Sequence, residues 1–98
     1  RSKMIIAIDY DGTITEDKKM FSQIAILMRK SGHEPIIVTM RYENEEDNFL
    51  NNLKSIVGGG VKIYYTGRKA KKEFMLSLGI TVDIWIDDNP QWIFEDSK

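Results

Sequence analysis

The chain has 98 residues, 42% of them hydrophobic, and a formal net charge of -1. That is enough for one domain over residues 1–98, burying somewhat more than about 60% of its unfolded surface, and it excludes the global basic field of a constitutive nucleic-acid or membrane binder. The absence of cysteine removes disulfides, thiolate catalysis and cysteine-based zinc sites, and the single histidine, His33, removes multi-histidine metal sites.

No apolar run approaches the roughly 20 residues that span a bilayer, and the first residues do not read as a secretory signal, so a cytoplasmic protein with no membrane partner is expected. Arg1-Ser2-Lys3 reads as an addition ahead of a natural start at Met4. The apolar run from Met4 to Ile8 predicts a buried first strand. It leads directly into Asp9-Tyr10-Asp11-Gly12-Thr13. Residues i and i+2 of a strand face the same way, so Asp9 and Asp11 converge on one point if the extended geometry persists, and Gly12 permits the sharp exit. Two carboxylates this close repel unless a cation or a shared proton relieves them, and a divalent ion is the simplest relief. The competing reading is a plain turn, because Asp and Gly after a strand also bond the local backbone. A calcium loop of the EF-hand type is excluded: counted from Asp9, its required Gly and Glu positions hold Ile14 and Met20.

Met20, Phe21, Ile24, Leu27 and Met28 recur with helical spacing and predict a core-facing stripe that stops at Ser31-Gly32. Pro35 to Thr39 predicts the second strand. The acidic segment Glu43 to Asp47 suits a solvated helix start, and Phe49, Leu50, Leu53, Ile56 and Val57 form that helix's buried face. Gly58-Gly59-Gly60 ends the helix; with no Lys-Ser or Lys-Thr after them, and a strand ahead instead of behind, these glycines are no phosphate-binding loop. Val61 to Tyr64 is the third strand, and a third helix runs from about Ala70 through Phe74 and Leu78 to Gly79. Val82 to Ile86 is the fourth strand. Asn89-Pro90 reads as an N-cap and first helical residue of a short last helix carrying Trp92, Ile93 and Phe94. Near-continuous apolar strands with helical crossovers predict an α/β fold: a Rossmann-like three-layer domain whose parallel sheet of about four strands is flanked by helices.

Ligands of open α/β sheets bind outside the carboxyl ends of the strands. Asp9 ends the first strand there, Thr39 and Arg41 follow the second, Thr66-Gly67-Arg68-Lys69-Ala70-Lys71-Lys72 follows the third, and Asp87-Asp88 ends the fourth. Every strand thus sends a group suited to a phosphate or its metal ion to one edge. With these residues in this order, the chain resembles the haloacid dehalogenase-like hydrolase superfamily. Asp9 to Thr13 is similar to its first motif, Ile36 to Thr39 to its second, a Lys near the start of the third helix to its third, and Ile86-Asp87-Asp88 to its fourth.

The resemblance implies a Mg²⁺-dependent phosphomonoester hydrolase. Asp9 would be the nucleophile that forms a phosphoaspartyl intermediate, and Asp11 the general acid and base. Mg²⁺ would be held by Asp9, the backbone carbonyl of Asp11, Asp87 and Asp88, the last directly or through water. Thr39 and Lys71 would stabilise the transferring phosphoryl group, and Gly12, Met40 and Arg41 would complete its binding site. Lys69 and Lys72 compete with Lys71 for the lysine role. The second aspartate, Asp11, points to phosphate esters and away from carbon–halogen bonds. Only one loop and one helix separate Asp11 from Thr39, which leaves no room for a cap and predicts an open site. The usual further acidic residue after the fourth motif is replaced by Gln91-Trp92. The expected partner is a small phosphorylated metabolite or nucleotide; a nucleic-acid end has slight support from Arg68, Lys69, Lys71 and Lys72. Two other readings stand beside this one: a receiver-like regulatory module, disfavoured because Tyr65-Thr66-Gly67 brings no Asp after the third strand, and a catalytically silent binding protein.

Overall fold

In a computed structural model covering residues 3–45, 47–57 and 61–97, the apolar runs become four strands: β1 (Ile5–Ile8), β2 (Glu34–Thr39), β3 (Lys62–Tyr65) and β4 (Ile84–Ile86). They pair in parallel in the order β3-β2-β1-β4. Four helices alternate with them: α1 (Lys18–Lys30), α2 (Asn48–Val57), α3 (Lys71–Ser77) and α4 (Gln91–Phe94). The expected stop at Gly58-Gly59-Gly60, the placement of Arg1 and Ser2, Glu46 of the acidic segment and the side chain of Ile56 lie outside the described residues.

Strand alternation sorts the core into two layers. Ile6, Ile8 and Ile37 pack with Ala25 of α1 and Leu50, Leu53 and Val57 of α2, while Ala7, Ile36 and Val38 pack with Met75 of α3 on the other face. Helices therefore cover both faces, as a sheet buried on both sides requires. The chain steps from β1 to β2 to β3 in one direction, then returns through α3 to lay β4 on the far side of β1. The strand order reverses between β1 and β4, and that switch point is where an open α/β sheet has its natural crevice.

Several local expectations are corrected. Met20 and Leu27 are 43% and 64% exposed, and the face of α1 that meets the core instead carries the small residues Ser22 and Ala25. Small side chains let the helix approach closely, and Phe21, Ile26 and Met28 pack around them. In α3 the buried row is Lys71 and Met75, while Leu78 is exposed. A 3-10 turn, Ile14–Glu16, fills part of the loop after β1, and Asp17 caps α1 by accepting from the Met20 N–H at 3.0 Å. The acidic segment does not begin a helix at Glu43; α2 starts at Asn48, and Asp47 caps it by accepting from the Leu50 N–H at 3.1 Å. The cap position of α4 is Pro90 instead of Asn89, without a side-chain bond. Among the described residues no helix is long and apolar enough to cross a membrane.

Candidate active site

Asp9 leaves β1 on the side of Ala7, facing α3, and its backbone N–H donates to Ile86 O of β4 at 2.9 Å. That bond draws the ends of the two strands together. One carboxylate oxygen each of Asp9, Asp87 and Asp88 lies within 4.8 Å of the others. Lys71, the first residue of α3 and only 2% exposed, reaches into the group: its Nζ lies 2.7 Å from Asp9 Oδ1 and 2.6 Å from Asp87 Oδ2. Of the three candidate lysines only Lys71 is brought to the carboxylates; Lys69 and Lys72 are exposed.

Thr13 joins the cluster from below the turn. Its hydroxyl oxygen is 3.2 Å from both Asp9 Oδ2 and Asp88 Oδ1, and it accepts from the Asp88 N–H at 3.2 Å. A single hydroxyl proton is thus shared between two carboxylates. The sequence singled out Thr13 only as part of the loop; its link to Asp88, across 75 residues, had no local signal. Gly12 has φ +84°, and a Cβ there would collide with the Asp88 carboxylate. Its N–H donates to Thr15 Oγ1 at 2.9 Å. Gly12 therefore makes room for Asp88, and its amide is already used within the loop.

Asp9 and Asp11 do not converge on one point as the extended-strand argument expects. The chain turns at Tyr10, whose ring goes to the α1 and α2 side of the core, and the Asp11 side chain, 53% exposed, is gripped by Arg41. Arg41 Nε donates to Asp11 Oδ2 at 2.8 Å and Nη2 to Oδ1 at 2.7 Å, the two-pronged geometry that makes Arg–carboxylate pairs strong. This pair raises the pKa of Arg41 above its ordinary value, chiefly through the Asp11 hydrogen bond. Arg41 also stands over the Tyr10 ring, and the Tyr10 hydroxyl donates to Asp47 Oδ1 at 2.7 Å.

A cleft of about 210 Å³ opens over the carboxylates, and its wall includes Asp9, Asp11, Met40, Lys71, Asp87 and Asp88. Arg68, Asn89, Trp92 and Ser97 complete it. Thr39 is not in the wall. It is fully buried, and its Oγ1 accepts from the Arg41 N–H at 3.3 Å, so it reaches the site through the backbone that carries Arg41.

Burial pushes the Asp9 carboxyl up from 3.8 to about 7, with Lys71 pulling the other way and Asp88 and Asp87 adding to the rise. Three carboxylates against one ammonium leave an excess of two negative charges when all are ionised, and in the absence of a cation a retained proton on Asp9 relieves part of it. An all-oxygen set of this charge suits a hard divalent ion. No family model, no curated protein and no solved structure matches the chain.

Proposed function

We propose that the protein is a Mg²⁺-dependent phosphomonoester hydrolase of the haloacid dehalogenase-like type, with Asp9 as nucleophile. The reading rests on one juxtaposition: three carboxylates and a buried lysine at the switch point of a parallel sheet. Asp9, Asp87 and Asp88 would hold the Mg²⁺, with the Asp11 carbonyl, and the ion would supply the positive charge that lets an anionic nucleophile meet an anionic phosphate.

A carboxylate oxygen of Asp9 bonds to phosphorus as the bond from phosphorus to the leaving oxygen breaks, and Asp11 delivers a proton to that oxygen. Water then attacks the phosphoaspartyl group and gives its proton to Asp11. The bond between phosphorus and Asp9 breaks, releasing phosphate. Lys71 orients Asp9 through its Nζ and offsets charge as the phosphoryl group passes. Both Asp11 oxygens are bonded to Arg41, so Asp11 must turn from Arg41 toward the leaving oxygen to serve as the acid. Thr39, buried and bonded to the Arg41 N–H, would act by positioning Arg41.

The test is phosphate release from an aryl phosphate with and without Mg²⁺. Mg²⁺-dependent turnover is expected; a folded protein that binds Mg²⁺ but releases no phosphate from a panel of nucleotides and sugar phosphates would point instead to a silent binding role.

The elevated Asp9 pKa gives this reading a pH signature. Between about 4 and 7 the folded, metal-free protein holds a proton on Asp9 that the unfolded chain has released, so its stability is expected to fall as pH rises through that window and to level off above it. A divalent ion competes with the same proton. Mg²⁺ affinity is therefore expected to climb by about tenfold per pH unit below pH 7 and then flatten, which calorimetric titration at a series of pH values would read. A pH-independent affinity would remove Asp9 from the ligand set.

A further inference from the structure

Arg68 has φ +72° and is the single non-glycine residue with positive φ among the described residues. A side chain in that region is strained and persists only where its surroundings over-determine it. Here they do: the Arg68 N–H donates to Met40 O at 2.9 Å, its carbonyl accepts from the Ser97 N–H at 2.7 Å, and the Gly67 N–H donates to Arg41 O at 3.2 Å. The Tyr42 ring closes on Gly67 so tightly that a Cβ there would sit 2.9 Å from the ring. The loop between β3 and α3 is thus braced to hold an arginine where the backbone favours glycine.

Two of the residues that line the cleft are cationic, Lys71 and Arg68. Lys71 Nζ is already bonded to Asp9 and Asp87. The Arg68 guanidinium lies over the Tyr42 ring, 5.6 Å from its centroid, and contacts Glu45 through Nη2 alone, at 3.3 and 3.4 Å. Its Nε and Nη1 make no hydrogen bond to other described residues. Both two-pronged edges of a guanidinium, Nε with Nη2 and Nη1 with Nη2, include the Nη2 that Glu45 holds, so a planar or tetrahedral anion takes either edge by displacing Glu45.

We propose that Arg68 forms a second anion subsite in the cleft, which then selects phosphomonoesters whose leaving group carries a further phosphate or carboxylate. This rests on the phosphatase reading for the role of the Asp9 end of the cleft, but not on turnover. Glu45 is the internal stand-in that the substrate's remote anion displaces.

The experiment measures equilibrium binding to the Mg²⁺-loaded protein of propylphosphonate, the same chain ending in a carboxylate, and the same chain ending in a second phosphonate, none of which can be hydrolysed as an ester. The wild type is expected to bind one or both of the two-headed ligands about tenfold more tightly than propylphosphonate, and which of the two gains more identifies the remote group. Arg68→Gly is expected to bring that ratio to about one without lowering the melting temperature, since glycine suits the φ. Glu45→Gln, which keeps an acceptor for the Tyr42 N–H, is expected to raise the ratio. A wild type without preference, or a ratio that survives Arg68→Gly, overturns the subsite; binding of none of the three overturns both readings. Two-headed selectivity in a protein that hydrolyses no corresponding phosphate ester would sink the hydrolase while leaving the subsite.

Discussion

Replacing Asp9 by Asn is expected to lower Mg²⁺-dependent kcat by at least about 10³-fold while leaving the protein folded. The amide keeps an oxygen for Lys71 and a group for Thr13 in the same volume, so the contacts that seat the side chain survive. The oxygen that would attack phosphorus and one negative charge do not. Because burial makes the ionised Asp9 costly, the metal-free variant at pH 8 should melt no lower than the wild type, and Mg²⁺ should raise its melting temperature less. Asp11→Asn offers the contrast. Loss of a general acid costs about 10²- to 10⁴-fold, and the cost should fall on alkyl phosphates, whose leaving oxygen needs a proton, far more than on aryl phosphates with acidic phenols. Equal losses on both ester classes would remove Asp11 from the proton-transfer step, and an Asp9→Asn enzyme with appreciable turnover would end the covalent mechanism.

Lys71→Met is expected to be the most destabilising single change at the site. The lysine is nearly without solvent contact and joins two buried carboxylates, the Asp87 side chain being 3% exposed. Removing one partner of a buried ion pair costs about 3 kcal/mol or more, because the charge left behind has no water to turn to. For a domain of this size that lowers Tm by about 12 °C or more. Mg²⁺ should restore part of the loss, since an ion among Asp9, Asp87 and Asp88 supplies the missing positive charge, while hydrolysis stays absent. Thermal unfolding with and without Mg²⁺ checks both halves. A metal-free variant as stable as the wild type would mean that the lysine's two contacts carry no net stability.

The α/β sheet and the edge that gathers Asp9, Asp87 and Asp88 were legible because they depend on coarse properties: apolar runs of strand length, helices between them, and the rule that carboxyl ends of strands face the ligand. What was not legible depended on how one side chain meets another far along the chain. Lys71 occupies a buried row with Met75, yet an apolar-stripe reading treats lysine as surface, so it could not be told from Lys69 and Lys72. The stripe in α1 misled for a related reason: Met20, Phe21, Ile24, Ile26, Leu27 and Met28 surround the helix too fully for periodicity to choose a face, and the small Ser22 and Ala25 decided it. Asp11 was expected beside Asp9 from strand alternation, which ends where the chain turns at Tyr10. Its partner Arg41 is 30 residues away, and neither that pairing nor the hydroxyl of Thr13 between Asp9 and Asp88 leaves a trace in local sequence.

The docking of β4 against β1 has a kinetic side. Asp9 and Lys71 meet across 62 residues and Thr13 and Asp88 across 75, and loop closure over such lengths makes these among the slowest contacts to form. During synthesis Asp9 emerges first of these side chains and Asp88 last. A nascent chain still short of β4 has β1, β2 and β3 to pair but no cluster of three carboxylates, so an ion held by that cluster would find its ligands only when β4 arrives. Capture of such an ion would then coincide with the docking of β4, and unfolding that begins by peeling β4 away would release it in its first step.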